Sequence, residues 1–316
     1  MSWQSAMIRS VLPLFFKRQL GNKNYDELKA FFTKRMDESA EKRKLPAQAI
    51  CHKENVGGIP CEWICVENSK TSDEVLLYFH GGGYMSGSAA THRELTWRLS
   101  QASGMRVLVV NYRLTPEHPC PAATDDCLGV YRALLEQGYP ANHIALAGDS
   151  AGAGLVLATM HLARQAGLPL PRTGICYSPW ADLTCSNPSY QDNLHKDPMI
   201  PARLLQLAAD KYCQQVPVTD PQASPVFMDF KGLPPLMIHV GGTEILLDDA
   251  RHIERAATAA GVNVLLKIWP KEAHAFPIMA TFLPEAQQAI AESGIWLRAL
   301  APGHKPTNAP ESQTTD

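Results

Sequence analysis

Ile144-Ala145-Leu146-Ala147-Gly148-Asp149-Ser150-Ala151-Gly152 is the stretch whose reading decides the fold. A short apolar run ends at a glycine, and a helical pattern starts at once. Leu155, Leu157, Met160 and Leu162 carry that pattern to Gly167, with Pro169 just beyond. The first part reads as a buried strand and the second as a helix closed by glycine. The turn between them fits G-x-S-x-G, and the residues flanking its serine must be small because strand and helix nearly touch there. Such a turn lifts the Ser150 hydroxyl clear of the sheet. It also sets the hydroxyl at a helix N-terminus, where backbone N–H groups and the helix dipole favour negative charge. A glycine turn that only lets a strand and a helix approach closely has the same spacing, so the rest of the chain must supply the partners.

Outward from this turn, the same alternation continues. Val75–Phe79 and Val107–Val110 precede it, and Ile175–Tyr177, Leu236–Val240 and Val264–Trp269 follow it as apolar runs separated by helical patterns. Continuous apolar strands between helices predict an α/β fold, with a mostly parallel central sheet covered on both faces. Residues 1–45 read as helices, because Tyr25, Leu28, Phe31 and Phe32 recur at helical spacing and Pro46 ends the pattern. Residues 186–225 break the alternation with several prolines and one helical patch, Ala202–Tyr212, and read as an insertion above the sheet. That leaves 46–301 as the main domain and 302–316, rich in Pro, Thr and Ser, as an expected disordered tail.

Composition narrows the classes of function. The chain has 316 residues, 45% hydrophobic and 19% charged, with a formal net charge of -2 and no basic run. Nucleic acid is therefore not an expected partner. Leu12, Leu14, Phe15 and Phe16 sit between Arg9 and Lys17, too short a run for a secretory signal or a membrane span. An amphipathic helix packed on the protein's own surface is expected there, without stable membrane insertion. The eight cysteines form no CxxC pair, and Cys61 and Cys65 lack a second pair or a histidine cluster. Buried free thiols are expected, and no metal site.

The run Val75–Phe79 ends at His80-Gly81-Gly82-Gly83-Tyr84. Three adjacent glycines leave their N–H groups unobstructed, so the loop can aim two donors at one oxygen. Acyl transfer needs this, because a carbonyl oxygen becomes an oxyanion. The candidates are Gly81, Gly82 and Gly83, with Gly82 and Gly83 preferred, and the N–H of Ala151 adds a third donor. His80 reads as a residue that holds the loop. No Lys-Ser/Thr pair follows the glycines, and no ribose-binding acid, so a phosphate loop is excluded.

A base and an acid must follow Ser150 in this chain order. His274, just past Val264–Trp269 and flanked by Ala273 and Ala275, is the candidate base. His239 lies in an apolar strand, His252 on a polar helix face and His304 in the tail, all better read as packing or solvated groups. Glu244, Asp248 and Asp249 all follow Leu236–Val240, and Glu244 is nearest the strand end. Glu244 is the preferred acid and Asp248 its alternative, since Asp248 and Asp249 also suit a helix start. Tyr84, Trp180, Met199 and Phe276 are candidate pocket residues, with plain core as the other reading of each.

Taken together, His80–Gly83, Gly148–Gly152 and His274 resemble the hormone-sensitive-lipase family, the bacterial family IV esterases. Asn111-Tyr112-Arg113-Leu114-Thr115-Pro116-Glu117-His118-Pro119, Pro121-Ala122-Ala123, Asp126 and Ser178-Pro179-Trp180-Ala181-Asp182-Leu183 resemble that family's connecting segments. The resemblance covers about residues 75 to 280 and implies an α/β-hydrolase fold with a helical cap, for which residues 1–45 and 186–225 are candidates. It puts the acid on Glu244, where most members carry Asp. It further implies a cytoplasmic serine carboxylesterase for short-acyl esters of small molecules, often a homodimer, with no cofactor. Two rivals remain. A lactone hydrolase needs no new residue. A ligand-binding protein similar to plant gibberellin receptors would lack the base histidine, which is present here.

Overall fold

The computed structural model describes residues 2–20, 22–42 and 45–303, without the side chains of residues 14–18 and 35–36. The expected disordered tail therefore falls almost wholly outside the described residues, as do the side chains of Leu14, Phe15 and Phe16.

Eight strands form one sheet: β1 (Ala49–Val56), β2 (Ile59–Val66), β3 (Val75–Phe79), β4 (Arg106–Val110), β5 (Ile144–Asp149), β6 (Gly174–Tyr177), β7 (Leu236–Gly241) and β8 (Val264–Trp269). Their spatial order is β1-β2-β4-β3-β5-β6-β7-β8. Only β2 runs against the others, antiparallel to both β1 and β4. The side-chain period of two splits β3 between two cores: Val75, Leu77 and Phe79 face one, Leu76 and Tyr78 the other.

Helices cover both faces, as the uninterrupted apolar strands require. On one face lie α5 (Ala122–Glu136), α6 (Ala151–Gln165) and α9 (Leu247–Ala259), through residues such as Leu134, Leu157 and Ile253. On the other lie α4 (Ala89–Ser103) and α10 (Pro284–Ala299), through Leu95, Leu99, Ile290 and Leu297. Each fully buried leucine contributes about 1.5–3 kcal/mol relative to exposure.

The described residues before 46 form α1 (Trp3–Leu20), α2 (Tyr25–Phe32), a π-helical turn Thr33–Asp37 and the one-turn α3 (Glu38–Glu41). A capping box of Asn24 and Glu27 starts α2. Its buried face is tied down where the Tyr25 hydroxyl meets Thr115 Oγ1 at 2.7 Å and Lys29 Nζ donates to Thr115 O at 3.0 Å. The 186–225 segment holds the short α7 (Ser189–Asp192) and α8 (Ala202–Tyr212).

The apolar-run reading began the sheet at Val75 and so passed over β1 and β2. The reason is local. In β1, His52, Lys53, Glu54 and Asn55 are all exposed, so this edge strand shows no apolar run. The cue that remains is Gly57-Gly58, the two-residue hairpin turn between them.

No described helix is long and apolar enough to cross a membrane. All eight cysteines carry free thiols.

Candidate active site

Ser150 sits between the end of β5 and the start of α6, with φ 54° and ψ −123°. A non-glycine residue there is strained, and such strain is held only where surrounding structure over-determines it. The backbone around Ser150 supplies that constraint. Its N–H donates to Tyr177 O at 2.8 Å, and its carbonyl accepts from Trp180 N at 3.0 Å and Ala153 N at 3.1 Å. Close approach fixes the small residue at the far end of the turn: a Cβ on Gly152 would lie 2.0 Å from Phe79 O. The hydroxyl therefore stands at the N-terminus of α6, where the first N–H groups have no helical acceptor.

Asp149, next to Ser150 in the turn, anchors the glycine loop. Its Oδ1 accepts from the Tyr78 hydroxyl at 2.6 Å and from Gly81 N at 3.0 Å, and His92 Nε2 lies 3.2 Å away. Burial alone lifts the Asp149 pKa, but the charge and hydrogen bond of His92, with Tyr78 and Gly81, outweigh it and hold the carboxyl below its usual range. His92 is moved the opposite way, above its ordinary value, because Asp149 overcomes the burial that lowers it.

The bond from Gly81 N to Asp149 corrects one expectation. The Gly81 N–H is committed to a carboxylate and is not free for an oxyanion. Gly82 and Gly83 remain as the candidates, and both line the cavity with Ser150. Gly82 needs its missing side chain: φ is +124°, and a Cβ would meet Ser86 O at 2.1 Å. His80 holds the loop as read. Its Nδ1 bonds Gly81 O at 2.9 Å, its ring stacks on Tyr112 at 4.2 Å, and burial drops its pKa to about 3.

His274 and Glu244 come together at the ends of β8 and β7. His274 Nδ1 lies 2.8 Å from Glu244 Oε2, and both residues are buried. With Nδ1–H directed at the carboxylate, the neutral imidazole presents a bare Nε2. Burial lowers the His274 pKa, but the hydrogen bond and charge of Glu244, helped by Asp197 and Asp149, leave it raised. Glu244 Oε1 is seated separately, accepting from Gly241 N and from the Ser178 hydroxyl. The two loops are also pinned to each other, since Gly242 N donates to Trp269 O at 2.7 Å and Thr243 Oγ1 to Glu272 O at 3.1 Å.

The rival acids are occupied elsewhere. Asp248 accepts from Ser189 N at 2.8 Å and pairs with Arg251 at 3.0 Å. Asp249 accepts from Ala181 N and Asp182 N at 3.0 and 2.9 Å, and burial pushes its pKa up to about 7.

A cavity of about 110 Å³ lies over Ser150 and His274. Its apolar wall is drawn from Leu20, Phe32, Met85, Met199, Ile200, Leu204, Leu205 and Ile278, and its polar end from Thr91, His92 and Asp149. Of the four pocket residues proposed from sequence, Met199 lines this cavity. Tyr84, Trp180 and Phe276 do not. Tyr84 stacks on Tyr212 at 3.7 Å and packs against Trp180, and Phe276 packs against Trp269, all inside the core.

Three contributors have no mark in the sequence. Ser178 lay in a segment noted only for resemblance. Asn193 Nδ2 donates to Glu244 O at 2.8 Å. Asp197 is fully buried, accepting from Met199 N (2.7 Å) and Ile200 N (2.9 Å) through Oδ1 and from Ile245 N (3.0 Å) through Oδ2. That carboxylate ties the cavity wall to the loop carrying Glu244. Among the described residues, no group of three or more His, Cys, Asp or Glu is placed to hold a metal ion.

A family model described as the alpha/beta hydrolase fold matches residues 76–278. An acetyl-hydrolase from Streptomyces hygroscopicus is 43% identical over 243 residues, which is 77% of this chain and 81% of that protein. An esterase from Acinetobacter venetianus is 37% identical over 238 residues, covering 75% and 78% of the two chains. The crystal structure of an esterase from the bacterial hormone-sensitive lipase family superimposes with a TM-score of 0.88 at 37% identity, covering 96% of this chain and 99% of that one.

Proposed function

For this chain, which belongs to the hormone-sensitive-lipase family of α/β-hydrolase-fold esterases and is a carboxylic-ester hydrolase, we propose cleavage of short-acyl esters by a Ser150–His274–Glu244 triad through an acyl-enzyme. The observation that carries the reading is the Glu244–His274 bond of 2.8 Å behind an imidazole that shares one cavity with Ser150.

His274 Nε2 takes the Ser150 proton as Oγ attacks the ester carbonyl carbon. The oxygen that gains charge is met by the N–H groups of Gly82, Gly83 and Ala151. Glu244 holds the ring in the tautomer with Nδ1 protonated and stabilises the imidazolium. His274 then hands its proton to the departing alkoxide, leaving the acyl group on Ser150. Water, deprotonated by the same Nε2, attacks the acyl-enzyme, and the acid leaves as the serine hydroxyl is restored.

Substrate size follows from what closes the cavity. In this reading residues 1–45 and 186–225 form a cap, supported by Leu20 and Phe32 from the first segment and Met199, Ile200, Leu204 and Leu205 from the second. The mainly apolar wall suits an acyl chain, and the likeness to an acetyl-hydrolase supports a short one.

A series of p-nitrophenyl esters from acetate to dodecanoate, with lactones and amides alongside, tests the substrate. We expect kcat/KM to peak at butyrate or shorter and to fall by roughly tenfold or more at dodecanoate, because a chain longer than the cavity must displace packed side chains. A maximum at long chains contradicts the short-acyl assignment, and a lactone as clearly best substrate replaces it with lactone hydrolysis.

A further inference from the structure

Ser178 follows β6, fully buried and outside the cavity lining, so it touches neither bulk solvent nor the space over Ser150. Its φ is 47°. A non-glycine residue in that region is uncommon, and held strain of this kind gathers at functional sites. The backbone is fixed there by its N–H, which donates to His239 O at 2.7 Å.

The side chain has two partners. Its Oγ accepts from Ala275 N at 3.0 Å and donates to Glu244 Oε1 at 2.7 Å. The direction of each bond is set by the partner: the Ala275 N–H can only donate and the carboxylate oxygen accepts, so the hydroxyl proton goes to Glu244 Oε1. One oxygen atom thus touches the acid of the triad and the backbone next to its base. A glutamate needs such a seat more than an aspartate does. It has one more torsion, and its terminal torsion is broad and roughly two-fold. Donors from Gly241 N and Ser178 pin Oε1, which leaves Oε2 facing His274.

We propose that Ser178 is a positioning residue of the triad, whose hydroxyl bridges Glu244 Oε1 and the Ala275 N–H and thereby holds the carboxylate and imidazole in register. The proposal rests on the reading of Glu244 as the triad acid.

The test uses Ser178→Ala and Ser178→Gly in the full chain, each alone and combined with Glu244→Gln, assayed on a short ester with melting temperatures recorded. Glycine accepts the positive φ without strain, so the second variant removes the hydroxyl even where alanine fails to fold. Both variants are expected to lower kcat by roughly 10–100-fold, as loss of a group that orients a reacting residue does. KM is expected to stay within about twofold, because the group does not bind substrate. In the Glu244→Gln background either change is expected to cost less than about threefold more, since the two act as one unit. Wild-type kcat in the folded Ser178 variants overturns the proposal, as do losses that multiply fully in the combined variants. Wild-type kcat in Glu244→Gln alone overturns the acid assignment itself.

Discussion

Ser150→Ala lowers kcat for a short ester about a millionfold, His274→Ala costs about as much, and the two together cost little more. In the proposed mechanism Ser150 and His274 act as a unit, so removing either one leaves nothing for the other to do. The residual rate comes from binding and the oxyanion donors, which neither change touches. The alanine at 150 keeps the strained turn, because Gly148, Gly152 and the bonds to Tyr177 and Trp180 are made by backbone and survive the substitution. The check is steady-state kinetics on variants whose melting temperatures match the parent. A Ser150→Ala enzyme within a hundredfold of the parent, at a purity that excludes contaminating esterase, contradicts the assignment of the nucleophile.

Glu244→Gln has the next largest effect after these, and the geometry says why an isosteric change does so much. Oε1 accepts two hydrogen bonds, from Gly241 N and from Ser178. A glutamine carbonyl takes that place, because the amide nitrogen accepts nothing. The NH2 group then faces His274 Nδ1, which must become the acceptor. The neutral imidazole carries its proton on Nε2 and cannot take one from Ser150. Loss of the correct tautomer costs about 10⁴ in kcat in the comparable serine-protease substitution.

The pH dependence gives an independent sign. His274 stands above its ordinary value of 6.5 because Glu244 outweighs burial. Activity needs the neutral ring, so the acid limb of kcat/KM for the parent lies above pH 6.5 and activity is lost as pH falls through it. Removing the carboxylate charge leaves burial as the dominant influence and moves that limb to lower pH. An unmoved limb in Glu244→Gln contradicts the pairing.

How much of this was legible in the sequence depends on whether a feature is local. The strand–turn–helix around Ser150 was readable because strand, glycines and helix follow one another within a few residues and each obeys its own periodicity. The pairing of Glu244 with His274 was readable because both follow apolar strands and the fold's chain order limits the search. Gly81 was misplaced among the oxyanion donors because its commitment is to Asp149, 68 positions away, and three adjacent glycines look alike. Tyr84, Trp180 and Phe276 were misplaced because an aromatic next to a motif gives no sign of which way it points. Trp180 and Tyr84 turn inward, and Tyr84 meets Tyr212 from the 186–225 segment. β1 was missed because an exposed edge strand has no apolar run. Ser178 and Asp197 were invisible as site residues for one reason: a buried hydroxyl or carboxylate that serves another chain segment is defined by its partners, which no local pattern names.

The most direct measurement is mass spectrometry of the protein after inactivation by a p-nitrophenyl phosphonate, an analogue that stops on the nucleophile. The account predicts one phosphonyl group per chain, on the peptide containing Ser150, formed in step with the loss of activity and absent from Ser150→Ala. Full inactivation with the label on another residue, or full activity with Ser150 labelled, contradicts it.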